Sequence, residues 1–263
     1  MSSKALPDNS ELDSAFDGLS DAAEFLAQIQ VFLEKYSDES NREQAKHVGK
    51  GAIKHHGVAL PVLRKLALKT GNFCTGDPVK GRQLLKMLWD TESREERKIC
   101  TESAASLLEV DEDAALSLIM EIIPDLDNWE LCDSLATIGL KKWMPEHHES
   151  SLRMINNWVR SPNPWIRRLG IVSLIPLSNS GSFEDLDVYL VVIKKLMRDE
   201  HESVQKAVSW VIREITPKDP ERVGKFLEVF TKYHEPSTQK IIREGSKKLD
   251  EAVRTVLMES TRR

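Results

Sequence analysis

The stretch WIRRLGIVSLIPL, residues 165–177, places large apolar side chains at helical spacing and has two relatives in the same chain. They are WELCDSLATIGL (129–140) and VQKAVSWVIREI (204–215). We interpret each segment as the second helix of a helix pair. The pairs are predicted to begin near four positions: Asp111, Glu146, Phe183 and Asp219. These positions lie 35, 37 and 36 residues apart. A fixed period with two helices per unit is typical of an α-solenoid, and HEAT-like repeats fit it best.

The rest of the chain is also predicted to be helical. It has no convincing alternating or β-branched run, whereas Asp77-Pro78 and Asp219-Pro220 have the form of helix starts. The predicted fold class is therefore all-α. Residues 1–19 are polar and acidic with few large apolar side chains, so we expect a flexible acidic leader there. Residues 20–263 are expected to form a single HEAT-like repeat domain.

The charge distribution leaves room for a nucleic-acid partner. The 263 residues carry a net charge of −5, but residues 1–45 hold three basic and ten acidic residues, a net of −7. Residues 46–263 therefore carry +2, which permits a local basic patch. No apolar run approaches the roughly 20 residues that a membrane span needs. The three cysteines show no metal-binding spacing, and their odd number argues against a disulfide framework, so we expect a reducing, intracellular setting.

Two helical segments place a tryptophan one turn from a charge. Trp129 precedes Asp133 by four residues and Trp165 precedes Arg168 by three, so each ring and charge share a helix face. Such a face is ordinarily core, where a charge is costly unless it is paired. Two interpretations stay open: Asp133 and Arg168 form a buried pair, or together they line a site. Trp210 lies off this stripe unless its helix begins two or three residues from the expected position.

With these motifs in hand, the chain resembles the AlkD-type DNA alkylation repair proteins, which are DNA glycosylases built from HEAT-like repeats. The resemblance rests on Trp129 to Asp133, on Asn163 to Arg168 and on Gln205 to Glu214. It extends from about Gly57 to about Leu249. It implies a curved α-solenoid with a concave DNA-binding face.

The resemblance also assigns roles to individual residues. Asp133 matches the catalytic carboxylate of the family. Trp129 and Trp210 match aromatic residues that contact the backbone and sugar of the lesion nucleotide. Arg168 matches an essential arginine on the DNA, and Arg213 matches a phosphate contact. The position at which catalytic members carry tyrosine corresponds to Val48 in this chain.

The activity implied by the resemblance is excision of cationic N3- and N7-alkylated purines from duplex DNA in base excision repair, by a monofunctional glycosylase. The implied partner is double-stranded DNA that contains alkylated bases, with no membrane partner, no cofactor and no metal. A monomer is expected, cytoplasmic and nucleoid-associated when bound to DNA, or nuclear in a eukaryote. Two alternatives stay open: a non-catalytic binder of damaged or branched DNA with the same fold, and a HEAT-like scaffold for other proteins.

Overall fold

The computed structural model describes residues 6–45, 54–180 and 185–261. These residues form two compact units, Met1–Leu140 and Lys141–Arg263. The described residues contain no β-strand, only an isolated bridge between Lys54 and Ser93. The all-α prediction is therefore confirmed. None of the described helices is both long and apolar enough to cross a membrane.

The described residues of the first unit are mostly helical. Its helices are α1 (Asn9–Phe16), α2 (Ala22–Lys35), α3 (Glu39–Ala45), α4 (Leu60–Gly76), α5 (Pro78–Asp90), α6 (Arg94–Val110), α7 (Glu112–Ile122) and α8 (Trp129–Ser134). A 3₁₀ turn, Ile123–Asp125, follows α7, and a π-helical turn, Leu135–Gly139, follows α8. Helix α6 packs against α4, α5, α7 and α8 and is the central element of this unit.

The second unit continues the pattern of paired helices. Its helices are α9 (Trp143–Glu146), α10 (His148–Trp158), α11 (Pro164–Val172), α12 (Leu174–Ser178), α13 (Leu186–Lys194), α14 (Glu202–Ile215), α15 (Pro220–Glu228), α16 (Pro236–Gly245) and α17 (Glu251–Ser260). Short 3₁₀ turns follow α14 and α16, at Thr216–Lys218 and Ser246–Lys248. Helices α11, α14 and α16 pack side by side, each the second helix of its pair. This stacking confirms the HEAT-like repeat prediction.

Aspartate side chains cap the first helices of several pairs, as the sequence predicts. Asp77, Asp111 and Asp219 each accept a hydrogen bond from a backbone N–H of the first turn, at 2.9–3.1 Å. Such caps satisfy amide groups that the helix itself leaves unpaired. The predicted start near Phe183 lies outside the described residues, and the helix that follows is capped by Asp185.

The structure differs from the expected flexible leader at residues 9–16. These residues form α1, which Asp8 caps through the Glu11 N–H at 2.7 Å. Its Leu12 and Phe16 are buried, and the Phe16 ring lies 4.7 Å from that of Phe25 on α2. Leu12 and Phe16 lie one helical turn apart, so they share the buried face of α1.

Candidate active site

Helix α8 presents Trp129 and Asp133 on one face. The Asn128 side chain caps this helix by accepting the Leu131 N–H at 3.1 Å, so Trp129 becomes its first residue. Leu131 and Cys132 are fully buried, whereas Asp133 is half-buried and Trp129 is 42% exposed. An exposed tryptophan one turn from a half-buried carboxylate is what the sequence pattern predicts for a site.

The end of α8 is distorted immediately after Asp133. The Leu140 N–H donates to the Leu135 carbonyl at 2.8 Å, five residues back, which is the π-helical pattern. Gly139 allows close packing here, because a Cβ atom on it would lie only 2.4 Å from the Thr101 carbonyl oxygen of α6. Single π-helical turns are frequent at functional sites. This one fixes the register of α8 against α6.

A buried charged network anchors the start of α8. The Arg94 guanidinium donates to both carboxylate oxygens of Glu130, at 2.6 and 2.8 Å. The two side chains are only 11% and 8% exposed. On the next turn of α6, Lys98 Nζ lies 3.0 Å from Glu102 Oε1, and both side chains are buried. The Arg94–Glu130 pair, together with Lys98 Nζ at 3.8 Å from Glu130 Oε1, connects α6 to the helix that carries Trp129 and Asp133.

Sequence reasoning missed this network. The run Arg94-Glu95-Glu96-Arg97-Lys98 has the composition of a solvated helix face, yet four of its five residues are buried. One signal could have revealed it: five consecutive charges cover every side of a helix, so some must face the core wherever the helix has neighbours on several sides.

The same network holds the segment before α4. The Glu95 carboxylate accepts backbone N–H groups from His56, Gly57 and Val58, at 2.9–3.3 Å. Gly57 has φ +76°, and a Cβ atom on it would lie 2.3 Å from the Asp38 carbonyl oxygen. Glycine is required on both counts. Val48, the position of the family tyrosine, lies outside the described residues.

His56 and Glu96 form an ion pair beside this segment. His56 Nε2 lies 3.3 Å from Glu96 Oε2, and the Glu96 side chain is almost fully buried. Contact with the carboxylate raises the pKa of His56 above its ordinary value. Burial, the largest single effect, would raise the pKa of Glu96, but hydrogen bonding with His56 and Ser93 and the charge of His56 together outweigh it, so the pKa lies below its ordinary value. The pair adds a pH-dependent contact to the network.

In the second unit, Arg168 is turned into the protein. It is 6% exposed, and its Nη1 donates to the Ser203 carbonyl at 2.6 Å and to the Ser203 hydroxyl at 3.1 Å. Because Ser203 lies in the first turn of α14, Arg168 connects α11 to the start of the next second helix. The neighbouring Arg167 makes a two-pronged ion pair with Asp199, at 2.7 and 3.1 Å.

The remaining predicted residues lie on α14. Trp210 and Arg213 are both half-buried, and Arg213 Nη1 donates to the Glu244 carbonyl at 3.0 Å. Trp165, one turn before Arg168, is half-buried and packs edge-to-face on the His201 ring at 5.2 Å.

The observed helix starts correct the register of Trp210. Helices α8, α11 and α14 begin at Trp129, Pro164 and Glu202, not at the residues assumed from sequence for the last two. Asp133 and Arg168 each lie four residues after the first residue of their helix, and Trp210 lies eight residues after the first residue of α14. Positions four and eight lie on one face of a helix. Trp210 therefore lies on the same stripe as Asp133 and Arg168, in contrast to the position expected from sequence. Convergence of the five predicted residues on one surface stays a prediction.

The protein is an all-α repeat protein, with stacked helix pairs that repeat about every 36 residues. Its candidate site lies on the second helices, one of which carries a tryptophan and a carboxylate on one face. The sequence profile described as "DNA alkylation repair enzyme" matches residues 29–249, most of the chain. The protein belongs to this family.

Solved structures show the same fold. AlkD2 from Streptococcus mutans is 20% identical, with a TM-score of 0.61 over 80% of this chain and 99% of its own. A predicted DNA alkylation repair enzyme from Enterococcus faecalis is 16% identical, with a TM-score of 0.64 over 89% of this chain and 98% of its own. Curated proteins give no significant match to this chain.

Proposed function

We propose that this protein is a monofunctional DNA glycosylase that excises cationic N3- and N7-alkylated purines from duplex DNA, acting as a monomer in base excision repair. The observation that carries the proposal is the face of α8, where half-buried Asp133 lies one turn from exposed Trp129. Membership of a family of DNA alkylation repair enzymes supports it. Because the target is genomic DNA, we place the protein in the cytoplasm, or in the nucleus of a eukaryote.

The chemistry suits a single carboxylate. A purine alkylated at N3 or N7 already carries positive charge, so it leaves without a general acid. Positive charge then develops on the deoxyribose as the glycosidic bond breaks. A fixed carboxylate at Asp133 would stabilise that charge and orient the attacking water. Partial burial strengthens such an interaction, because it lowers the local dielectric constant.

The aromatic and basic residues complete the proposal. The faces of Trp129 and Trp210 would attract the cationic nucleoside, at about 0.5–2 kcal/mol for each ring. Arg213 has donors besides the one given to the Glu244 carbonyl, and a guanidinium holds phosphate well. The buried position of Arg168 favours a role in holding α14 over a broad phosphate contact.

The test is base release from duplex DNA that contains 7-methylguanine, followed by chromatography of the free base. We expect release by the wild type, and a loss of about 100-fold or more in Asp133→Asn, because removal of a transition-state stabiliser has that magnitude. Asp113→Asn is the matched control, since it makes the same chemical change at an exposed position of α7 in the same unit. It should release base at the wild-type rate.

The outcomes separate the candidate functions. Folded wild-type protein that binds duplex DNA and releases no base would refute the glycosylase proposal and leave the non-catalytic binder. Protein that binds no DNA even at low salt would leave the scaffold. Equal rates for Asp133→Asn and the wild type would remove Asp133 from the mechanism.

A further inference from the structure

The second unit carries one basic residue at the same place in each of three successive repeats. Arg160, Lys195 and Lys232 are separated by 35 and 37 residues, which is the spacing of the repeats themselves. Each lies after the first helix of a pair and before the second, following α10, α13 and α15. All three are exposed. The function assigned above does not use them.

Two of these cations contact the same neutral residue, Asn156, one at its backbone and one at its side chain. Arg160 Nη1 donates to the Asn156 carbonyl at 3.2 Å, and Lys195 Nζ donates to the Asn156 side-chain oxygen. Loss of some hydration next to the neighbouring residues and the charge of Arg160 lower the pKa of Lys195. Like charges held together this way repel each other unless an anion lies between them.

Carboxylates do not neutralise the row. Within the part of the chain that the structure describes, none of the three cations forms a salt bridge, and Lys232 Nζ lies 5.4 Å from the centroid of the Tyr233 ring. The acidic residues in the same loops are mostly engaged elsewhere. Asp199 pairs with Arg167 and Glu235 with Arg198, which leaves exposed Glu200.

The surroundings also favour an anion. Each cation precedes the N-terminus of a second helix by four to seven residues: Pro164 of α11, Glu202 of α14 and Pro236 of α16. A helix N-terminus carries a partial positive charge of about half a unit. Neighbouring packed helices lie roughly 8–10 Å apart, so a row over three repeats extends along a stretch of several nucleotides.

We propose that Arg160, Lys195 and Lys232 form a phosphate-binding row that contacts the backbone of duplex DNA. This inference rests on the proposed binding of DNA but not on base excision. Contacts of this kind carry no sequence or lesion information, so the row would serve the initial, non-specific association with DNA.

The test measures the affinity for an unmodified duplex by fluorescence anisotropy over a series of salt concentrations. The row variant combines Arg160→Gln, Lys195→Gln and Lys232→Gln. Its matched control combines Arg153→Gln, Lys194→Gln and Lys225→Gln, which removes the same charge from exposed positions on α10, α13 and α15. Circular dichroism confirms that both variants fold.

We expect the slope of log affinity against log salt to become shallower in the row variant by about 0.9 for each phosphate that the variant no longer neutralises, up to about 2.7 for three. The control should keep the wild-type slope. Equal slopes for the row variant and the control would overturn the proposal, since the effect would then be one of net charge alone.

Further arms separate related outcomes. Inorganic phosphate at matched ionic strength should not compete with DNA; if it does, the row is a site for free phosphate and the proposal is wrong. Glu200→Gln should tighten binding slightly, because it removes the unengaged acid beside the row. Wild type that binds DNA but releases no methylated base would refute the glycosylase alone. In that case the comparison of slopes would still test whether the row binds DNA.

Discussion

The two units use opposite charges between neighbouring second helices in different ways. In the first unit, Arg94 of α6 and Glu130 of α8 are 11% and 8% exposed. In the second, Lys240 of α16 and Glu202 of α14 meet at 3.2 Å but are 32% and 65% exposed. Both pairs join neighbouring second helices, but the first pair is shielded from solvent and the second is exposed to it. A buried pair is expensive to break, whereas an exposed pair contributes little, so of these two pairs we expect only Arg94–Glu130 to fix the position of a helix.

The largest effect that this comparison predicts is that of Glu130→Ala. It leaves Arg94 buried without its carboxylate partner, and we expect the free energy of unfolding to fall by about 3–5 kcal/mol. The corresponding change in the second unit, Glu202→Ala, should cost far less, because a solvent-exposed ion pair contributes little to stability. Urea denaturation of both variants measures the difference. Similar losses in the two variants would show that burial does not distinguish these pairs.

A smaller effect is expected from two glycine substitutions. In Gly139→Ala the new Cβ meets the Thr101 carbonyl oxygen at 2.4 Å, and backbone cannot move aside cheaply. We expect a loss of about 1–3 kcal/mol in the free energy of unfolding, typical of overpacking. In Gly224→Ala, on α15, the Cβ meets only a side-chain methyl of Val253 at 3.3 Å.

Gly224→Ala should therefore be nearly neutral. The tight contact with Val253 is offset by the higher helix propensity of alanine, which is worth about 0.5–1 kcal/mol over glycine. The same denaturation experiment compares the two variants. A neutral Gly139→Ala would mean that the π-helical turn relaxes easily and does not fix α8 against α6.

These contrasts also show how far sequence reasoning extends. The repeat period and the aspartate caps were predictable, because a helix pair needs periodic apolar positions and a capped first turn. The pairing of Trp129 with Asp133 followed from their four-residue spacing alone. Helix starts were less predictable, because Pro164 and Glu202 precede the first apolar residue of their helices by one or two positions. The wrong start for α14 placed Trp210 on the wrong face of that helix.

The buried network was not predictable in the same way. The local composition predicts that Glu95 and Lys98 are exposed to solvent. They are buried because α6 packs against several other helices. The same holds for α1, where Leu12 and Phe16 lie in a sequence that looks like an acidic leader. In both cases packing overrides composition, since burial is set by the elements that surround a segment.

The smallest predicted effect concerns pH and again contrasts a buried with an exposed group. His56 contacts buried Glu96, and its pKa in the folded protein is raised, so its contribution to stability is complete below its ordinary value and is lost as the pH rises through the folded pKa. The pKa of Glu96 is lowered, so its contribution is present above its ordinary value and is lost as the pH falls through the folded pKa.

Together the two groups stabilise the fold most between the ordinary values of glutamate and histidine, 4.5 and 6.5. His56→Gln should therefore lower the melting temperature more at pH 5.5 than at pH 8. His234→Gln, at an exposed position of the second unit, is the control and should lower it equally little at both. A His56→Gln deficit that is the same at both pH values would mean that the ring stabilises this segment by packing, with no part played by its charge.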